Sequence, residues 1–223
     1  MVLLHRYSFN DGTAGDSVGG AAWAGTLVGS ATVVNQKAVL ASNGQYVSLP
    51  SGLFGSYSSV SVEVWISTGA NSLNARVFEW GHYFAGGAQK KILSVLRDGS
   101  KYPAPVYVTW WDSSVGQYPY TDSSISFDNQ ASLHIVLTVT GGTLARLYIN
   151  GALAATLDAG YFPQPSFPRA DTFGIGKGFD SISVTPTLIG SVDEVRVWGG
   201  VLSAAEVSTR YSQGSGQWLS CSG

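Results

Sequence analysis

Residues 188–207, LIGSVDEVRVWGGVLSAAEV, carry the strongest fold signal in the chain. The first half alternates between two faces, one with Val192, Glu194, Arg196 and Trp198 and the other with Asp193, Val195 and Val197. A period of two residues is typical of a β-strand whose faces lie in different surroundings. We therefore predict a strand here, ended by Gly199-Gly200.

The second half of this stretch carries a helix-start signal. Ser203 precedes AAEV, and Glu206 follows three residues after the serine. This spacing predicts a capping box, in which the serine side chain and the glutamate side chain each bind a backbone N–H at the helix start. We expect a short C-terminal helix through AAEV.

Residues 133–157 give the clearest local signal for antiparallel pairing. They read LHIVLTVT, then a Gly-Gly break, then TLARLYI-NG-ALAATL, which predicts three consecutive strands. Asn150-Gly151 tolerates positive φ at both turn positions and so favours a two-residue type I′ hairpin. Further strands are predicted at residues 3–9, 31–34, 38–40, 46–49, 59–67, 76–80, 92–97, 106–111 and 172–176.

Composition excludes several classes of protein. Only 12% of the 223 residues are charged and the formal net charge is −2, so binding of nucleic acid or anionic membrane by electrostatics is not expected. No apolar run approaches the roughly 20 residues of a membrane span. The opening Met1-Val-Leu-Leu is too short to be the apolar core of a signal peptide.

The end of the chain reads as a tail. Residues 212–223 (SQGSGQWLSCSG) are rich in Gly and Ser and contain Cys221, the single cysteine, so no internal disulfide is possible. We predict one domain over residues 1–211 and a tail or linker over 212–223, cut from a longer protein. Cys221 is either a spare thiol or half of a pair with a missing partner.

Several segments together resemble one family. YSFNDGTAGDSVGG, SVSVEVWIS, LHIVLTVTGGTLARLYING, TFGIG and the Asp-Glu-x-Arg strand are similar to the laminin-G-like (pentraxin-like) branch of the concanavalin A-like lectin/glucanase superfamily. The resemblance covers roughly residues 3–211, although Leu133-His134 stands where the family usually has Trp. It implies an all-β fold, a two-sheet antiparallel jelly-roll β-sandwich with a short C-terminal helix, in a protein that is extracellular or at the cell surface.

The resemblance also implies a structural calcium ion that joins the paired first and last strands. The aspartate of the last strand corresponds to Asp193, which the alternation places on the core side, where a bare carboxylate needs a partner or a cation. Asn10, Asp11 and Asp16 of the N-terminal loop are the candidate co-ligands. The alternative is that Asp193 caps backbone N–H groups of that loop.

Catalysis is not expected. Retaining glycosidases use two carboxylates about 5–5.5 Å apart, and the family's hydrolases place them on one strand as Glu-x-Asp-x-x-Glu, a motif that this chain lacks. Glu63 and Glu79 lie on separate predicted strands and could face each other.

A buried ion pair explains these glutamates better. We expect Glu63 or Glu194 to pair with Arg196 or Arg146. A lyase would need a His/Tyr pair, and the adjacent His82 and Tyr83 point to opposite faces of a strand.

Aromatic and polar residues that suit a sugar concentrate in residues 107–120 (YVTWWDSSVGQYPY). Sugars combine an apolar C–H face with hydroxyl groups, so flat rings beside polar side chains suit them. The candidate ligand-binding residues are Trp110, Trp111, Asp112, Gln117, Tyr118, Tyr120, His82 and Tyr83. Val106 and Val108 share the parity of Trp110, so Trp111 is the outward candidate. The alternative is that exposed rings cover a sheet edge or a protein contact.

These expectations favour a non-catalytic, lectin-like carbohydrate-binding module that binds a polysaccharide or glycan on a sheet face or its rim. The alternative class is a structural or adhesion domain that assembles with another protein. A polysaccharide hydrolase or lyase is the third possibility.

Overall fold

The computed structural model describes residues 1–83, 90–98, 104–112, 120–141, 144–158, 172–178 and 186–216. At residues 82, 83, 90, 91, 111, 112, 120 and 121 the description is limited to the backbone. No helix in these ranges is long and apolar enough to cross a membrane.

Strands account for most of the regular structure. Those in the described ranges are β1 Val2–Tyr7, β2 Thr26–Val28, β3 Thr32–Val34, β4 Lys37–Leu40, β5 Tyr46–Leu49, β6 Val60–Thr68, β7 Arg76–Tyr83, β8 Lys90–Arg97, β9 Pro105–Asp112, β10 Tyr120–Ser126, β11 Leu133–Thr140, β12 Leu144–Ile149, β13 Ala152–Asp158, β14 Thr172–Ile175 and β15 Gly190–Gly199. A 3₁₀ turn at Ala21–Trp23 and the helix α1 Ala204–Gln213 complete the elements.

The strands form two antiparallel sheets. The eight-stranded sheet has the order β13-β12-β11-β6-β15-β4-β3, and β1 pairs with β15 beside β4. The seven-stranded sheet has the order β10-β9-β8-β7-β14-β5-β2. The predicted β-sandwich and the pairing of the first and last strands are confirmed.

The core lies between the two sheets and follows the two-residue alternation. Val62 and Val64 of β6 point inward from one sheet, and Phe78 and Trp80 of β7 point inward from the other; all four are fully buried. Trp110 of β9 lies in the same cluster. Because aliphatic and aromatic side chains fill this space, only the outer sheet faces, edges and loops are left to bind a ligand.

The predicted hairpin between β12 and β13 is confirmed. Ile149 pairs with Ala152, so the loop is Asn150-Gly151 alone. Both turn residues have positive φ, 49° and 81°, as a type I′ turn requires.

Strand β15 departs from the predicted alternation at Asp193. Val192 pairs with Ile66 and Glu194 pairs with Trp65, so Asp193 is the extra residue of a β-bulge. The bulge shifts the parity, because Val192 joins Val195 in the core. The prediction that Asp193 lies on the core side is therefore wrong, whereas Glu194, Arg196 and Trp198 keep the outer face.

Helix α1 begins as predicted and runs further. Ser203 accepts the N–H of Glu206, and the Glu206 side chain accepts the N–H of Ser203, which completes the capping box. The helix continues to Gln213, rather than stopping after AAEV, because Val207 packs into an apolar cluster on the outer face of the eight-stranded sheet. The structured region thus extends past the predicted boundary at residue 211, while residues 217–223 lie outside the described residues.

Ser203→Ala is expected to lower the free energy of unfolding by about 1 kcal/mol, because the N–H of Glu206 at the helix start loses its acceptor. Chemical denaturation of the variant and wild type measures the difference. Ser208→Ala, in the exposed middle of the same helix, is the control and should change stability by no more than about 0.5 kcal/mol. Equal effects of the two substitutions would contradict the capping role.

Candidate functional site

The outer face of the eight-stranded sheet carries a buried ionic network rather than an open site. Glu63 of β6 binds His134 Nε2 at 3.0 Å, Arg196 Nη1 at 3.4 Å and Trp198 Nε1 at 3.2 Å. Glu63, His134 and Arg196 are completely buried. The predicted buried ion pair is confirmed with Arg196 as the cation.

Arg196 joins three parts of the chain through its guanidinium group. Besides Glu63, it donates from Nε to Glu194 Oε1 at 2.9 Å and from Nη2 to the Ser215 carbonyl oxygen at 2.6 Å. Arg6 of β1 binds the same Glu194 with Nε and Nη2. The network therefore ties strands β1, β6 and β15 to the segment that follows α1.

The two carboxylates of this network differ in their electrostatics. Burial raises the pKa of Glu63, but the His134 hydrogen bond and the charges of Arg196 and Arg210 lower it more, so the pKa lies below its ordinary value. Burial raises the pKa of Glu194 above its ordinary value despite Arg6 and Arg196. The Glu63 contribution to stability is thus present above the ordinary glutamate pKa and is lost as pH falls through the lower, folded-state pKa.

Helix α1 covers this network. Tyr211 stacks on Trp65 and His134, with ring centroids 5.9 Å from each. The Arg210 guanidinium lies 3.9 Å from the centre of a Trp198 ring. The helix and its stacked rings therefore cover the part of this outer face around Trp65, His134 and Trp198.

Glu63 and Glu79 do not face each other, which corrects the idea of a carboxylate pair. Glu63 lies on the outer face of the eight-stranded sheet, and Glu79 alternates with the core residues Phe78 and Trp80 on the outer face of the seven-stranded sheet. The whole core separates them. This pair cannot supply the two adjacent carboxylates that a retaining glycosidase needs.

Glu79 is held by its own neighbours. Arg76 Nε lies 3.2 Å and Ser94 Oγ 2.6 Å from Glu79 Oε2. A Cβ atom on Gly178 would lie 2.9 Å from the same oxygen, so the backbone at residue 178 covers the pair. Like Glu63, this carboxyl group is buried and held by partners from the protein.

The outer face of the seven-stranded sheet presents a row of small and polar residues. Ser48, Gly174, Glu79, Ser94 and Thr109 are paired in register across five neighbouring strands. The row starts and ends at half-buried hydroxyl side chains, while its middle is buried.

Strand β9 adds an aromatic side chain to this face. Tyr107 is half-buried and shares the parity of Thr109, opposite Leu96 of β8 and Asp122 of β10. We take this outer face, near β9 and β10, as the candidate site because it combines a ring with hydroxyl and carboxylate groups.

Not all of the predicted ligand residues lie at this site. Trp110 is in the core with 1% of its surface exposed, so its assignment as a ligand contact is wrong and its predicted inward parity is confirmed. The backbones of five others lie in strands β7, β9 and β10; these are His82, Tyr83, Trp111, Asp112 and Tyr120. Gln117 and Tyr118 lie outside the described residues.

Tyr120 begins β10, a strand that is absent from the predicted set. Its backbone pairs with Thr109, next to the row on the outer face. Sequence alone missed β10 because TDSSIS carries few of the β-branched and aromatic residues that identify a strand. The pairing with β9 compensates for that weak propensity.

The four candidate metal ligands are not brought together. Asp16 Oδ1 accepts the N–H groups of Arg6, Val18 and Gly19, and its Oδ2 lies 2.6 Å from His5 Nδ1. Asp16, rather than Asp193, is therefore the carboxylate that caps the N-terminal loop.

Asp193 and Asp11 have partners of their own. Asp193 accepts the Ser215 hydroxyl at 2.8 Å and lies 3.5 Å from Lys37 Nζ. Asp11 binds Thr13, which lowers the pKa of its carboxyl group, and Asn10 is exposed. Among the described residues no group of three or more His, Cys, Asp or Glu side chains is placed to hold a metal ion.

Chelation is expected to leave the melting temperature unchanged, since donors from the protein already occupy both oxygens of Asp16. A metal that bound only the folded state would raise stability by mass action, about 2.7 kcal/mol at 100 times its Kd. Thermal melts with EDTA and with added calcium test this, with Asp193→Asn as the matched variant. A calcium-dependent rise in the melting temperature that disappears in D193N would support a calcium ion at the predicted site.

Comparisons with known proteins agree with the fold. Domain 4 of AbnA, a GH43 extracellular arabinanase from Geobacillus stearothermophilus solved with arabinotriose, is 21% identical, with 93% of this chain and 97% of that chain covered and a TM-score of 0.71. The CBM40 of the Ruminococcus gnavus IT-sialidase bound to alpha2,6 sialyllactose is 15% identical over 78% and 95% of the chains, with a TM-score of 0.61.

A larger enzyme matches in part. The Trypanosoma rangeli sialidase in complex with sialic acid is 16% identical, covers 95% of this chain with 33% of its own, and has a TM-score of 0.70. At these identities the likeness establishes the fold. No curated protein sequence matches this chain.

The family comparison covers three quarters of the sequence. The model of a family described as the concanavalin A-like lectin/glucanases superfamily matches residues 41–208, from the loop before β5 into helix α1. The match includes strands of both sheets, among them β15 with its Asp-Glu-x-Arg motif. This chain belongs to the concanavalin A-like lectin/glucanases superfamily.

Proposed function

We propose that this protein is a non-catalytic carbohydrate-binding module of a longer extracellular or cell-surface protein. The observation that carries the proposal is the near-complete match, over 93% and 97% of the two chains, to a domain solved with arabinotriose. The sialyllactose-bound CBM40 supports the same class of ligand. Because similarity in fold does not identify a binding site, we locate the proposed site from the side chains on the outer faces of the two sheets.

The difference between the two outer faces supports a site on the seven-stranded sheet. Helix α1 covers the part of the other outer face where Trp65 and His134 are buried beneath Tyr211. Around β9, the seven-stranded sheet presents half-buried Tyr107 and Thr109. Rings and hydroxyl groups side by side are what a sugar, with its C–H face and hydroxyl rim, requires.

The buried carboxylates support the non-catalytic part of the proposal. A general acid or nucleophile must reach the bond that is cleaved. Glu194 is bound by Arg6 and Arg196, and Glu63 by His134 and Arg196. Glu79 lies beneath residue 178 with Arg76 and Ser94 as partners. All three carboxyl groups are buried and held by partners from the protein.

The test is a glycan array with the purified protein, followed by calorimetric titration with the best ligand. Trp111→Ala is expected to weaken that ligand by about 30-fold, near 2 kcal/mol, as is typical of an aromatic residue at the centre of a binding site. Tyr57→Ala is the control, because Tyr57 is a part-exposed ring that packs on Gly199 of the other sheet.

The outcomes separate the alternatives. Loss of binding in W111A with an unchanged melting temperature supports the module and its site. Binding that W111A leaves intact would move the site to another surface. A blank array would favour a protein partner, and cleavage of a bound glycan would overturn the non-catalytic proposal.

A further inference from the structure

His134 lies at the centre of the contact between α1 and the eight-stranded sheet. It is completely buried, and its ring stacks on Trp65 with centroids 4.4 Å apart. Tyr211 of α1 stacks over both rings. The imidazole is therefore part of the surface on which the helix rests.

The hydrogen bonds of the imidazole are one-sided. His134 Nε2 lies 3.0 Å from Glu63 Oε1, whereas His134 Nδ1 is buried without a hydrogen-bond partner among the described residues. A neutral ring with its proton on Nε2 donates to the carboxylate and leaves only a lone pair buried. A charged ring would bury an N–H donor without an acceptor, which is much more costly.

Charged and titratable groups surround the ring. Glu63 and Glu194 supply two negative charges, and Arg196 and Arg6 supply two positive charges in direct contact with them. Arg210 of α1 adds a further positive charge close enough to affect Glu63. The titratable phenol of Tyr211 faces the ring as well. Glu63 also lies 3.0 Å from the ring but is shared with Arg196. A proton on His134 would therefore add to a cluster in which the named arginines already outnumber the carboxylates.

We propose that His134 makes the docking of residues 203–216 sensitive to acid. In its neutral form the ring supports Tyr211 and binds Glu63. Protonation places a buried N–H donor without an acceptor at Nδ1, beneath the helix, and undocking of the segment relieves it by admitting water to Nδ1. The core between the sheets has no part in this step, so the sandwich stays folded while the segment is released.

Release changes the surface of the protein. The segment covers a second apolar cluster on the sheet, built from Val136, Tyr148 and Trp198 together with Leu202 and Val207. Arg196 would lose the Ser215 carbonyl, one of its three acceptors named above. A protein that moves from neutral to acidic surroundings would thus expose an aromatic patch on the eight-stranded sheet. This device is independent of the proposed glycan site, which lies on the other sheet.

Hydrogen exchange at about pH 7.5 and about pH 5, corrected for the intrinsic rates, tests the proposal, because histidines titrate in this range. Protection of residues 203–216 is expected to fall by about tenfold or more, while that of β5 and β14 in the seven-stranded sheet is retained. His134→Gln keeps an N–H donor for Glu63 and cannot take up a proton, so its helix should stay protected at both values. The proposal would be overturned if residues 203–216 lost no protection in wild type, or lost it to the same extent as β5 and β14. It would also be overturned if the segment lost as much protection in H134Q as in wild type.

Ring ¹⁵N chemical shifts of wild type give an answer even if H134Q fails to fold. The chain has three histidines, so the His134 signals can be assigned. A neutral Nε2–H ring at pH 7.5 that takes up its proton in step with the loss of helix protection supports the proposal. An imidazolium at pH 7.5, or a ring that stays neutral while the helix loosens, would overturn it.

Discussion

Arg196→Met is expected to lower the free energy of unfolding by about 3–5 kcal/mol, the typical effect of removing one partner from a buried ion pair. The substitution leaves Glu63 and Glu194 completely or almost completely buried without their shared cation. It also removes the donor to the Ser215 carbonyl. Because whole domains are typically stable by only about 5–15 kcal/mol, the variant should unfold at a much lower urea concentration.

Arg146→Met is the matched control for this prediction. Arg146 lies half-buried on β12 of the same sheet and makes no ion pair within the described part of the chain. Its replacement should cost about 0.5 kcal/mol or less. The double variant E63Q/R196M should lose less than the sum of its single variants, because both belong to one network. Additive losses would mean that the two groups do not interact.

Gly151→Ala is expected to cost about 2–5 kcal/mol, the sum of two effects. Gly151 has a φ of 81°, which an L-residue adopts at a cost of about 1–2 kcal/mol. A Cβ atom there would lie 2.9 Å from Tyr211 Cδ1, an overlap that typically costs about 1–3 kcal/mol to relieve. Denaturant unfolding of the variant measures the total.

Gly12 separates the two effects. It has the same φ of 81°, yet a Cβ atom there meets nothing within 4 Å. Gly12→Ala therefore reports the conformational cost alone, and the excess in G151A is due to Tyr211. Introducing G151A into a Tyr211→Ala background should remove that excess. If G12A and G151A lower the free energy of unfolding equally in wild type, Tyr211 of helix α1 does not contact the hairpin at Gly151.

The alternation of apolar residues predicted much of the fold. β5 and the Asn150-Gly151 hairpin were predicted to the residue, and the parity of Trp110 was predicted correctly. These features are local, since a strand face or a type I′ turn depends on residues next to each other in sequence. The polar strand β10 was missed because its pairing partner, rather than its own composition, stabilises it.

Features that depend on contacts between distant residues were less predictable. The bulge at Asp193 could not be read from β15 alone, because only the pairing with Trp65 and Ile66 of β6 reveals the extra residue. The same holds for the partners of Glu63, which comes together with His134 from 71 positions away. The sequence showed that a glutamate shares a face with Trp65, and the register of β6 with β11 supplies the histidine.

The candidate site was predictable in kind but only partly in detail. The sequence indicated aromatic residues near β9, and the structure keeps the strand while placing Trp110 in the core. The row from Ser48 to Thr109 was not predicted, because its residues come from five strands whose order in the sheet is not sequential. Such a row becomes visible only when the pairing is known.

The position of β15 has a consequence for how the protein folds. This strand lies inside the eight-stranded sheet, between β6 on one side and β1 and β4 on the other, and it pairs with residues that precede it by more than a hundred positions. Such non-local pairing gives a high contact order, so we expect refolding on the scale of milliseconds to seconds rather than microseconds. During synthesis the earlier strands of that sheet emerge from the ribosome before the strand that joins them, and they depend until then on avoiding other partners.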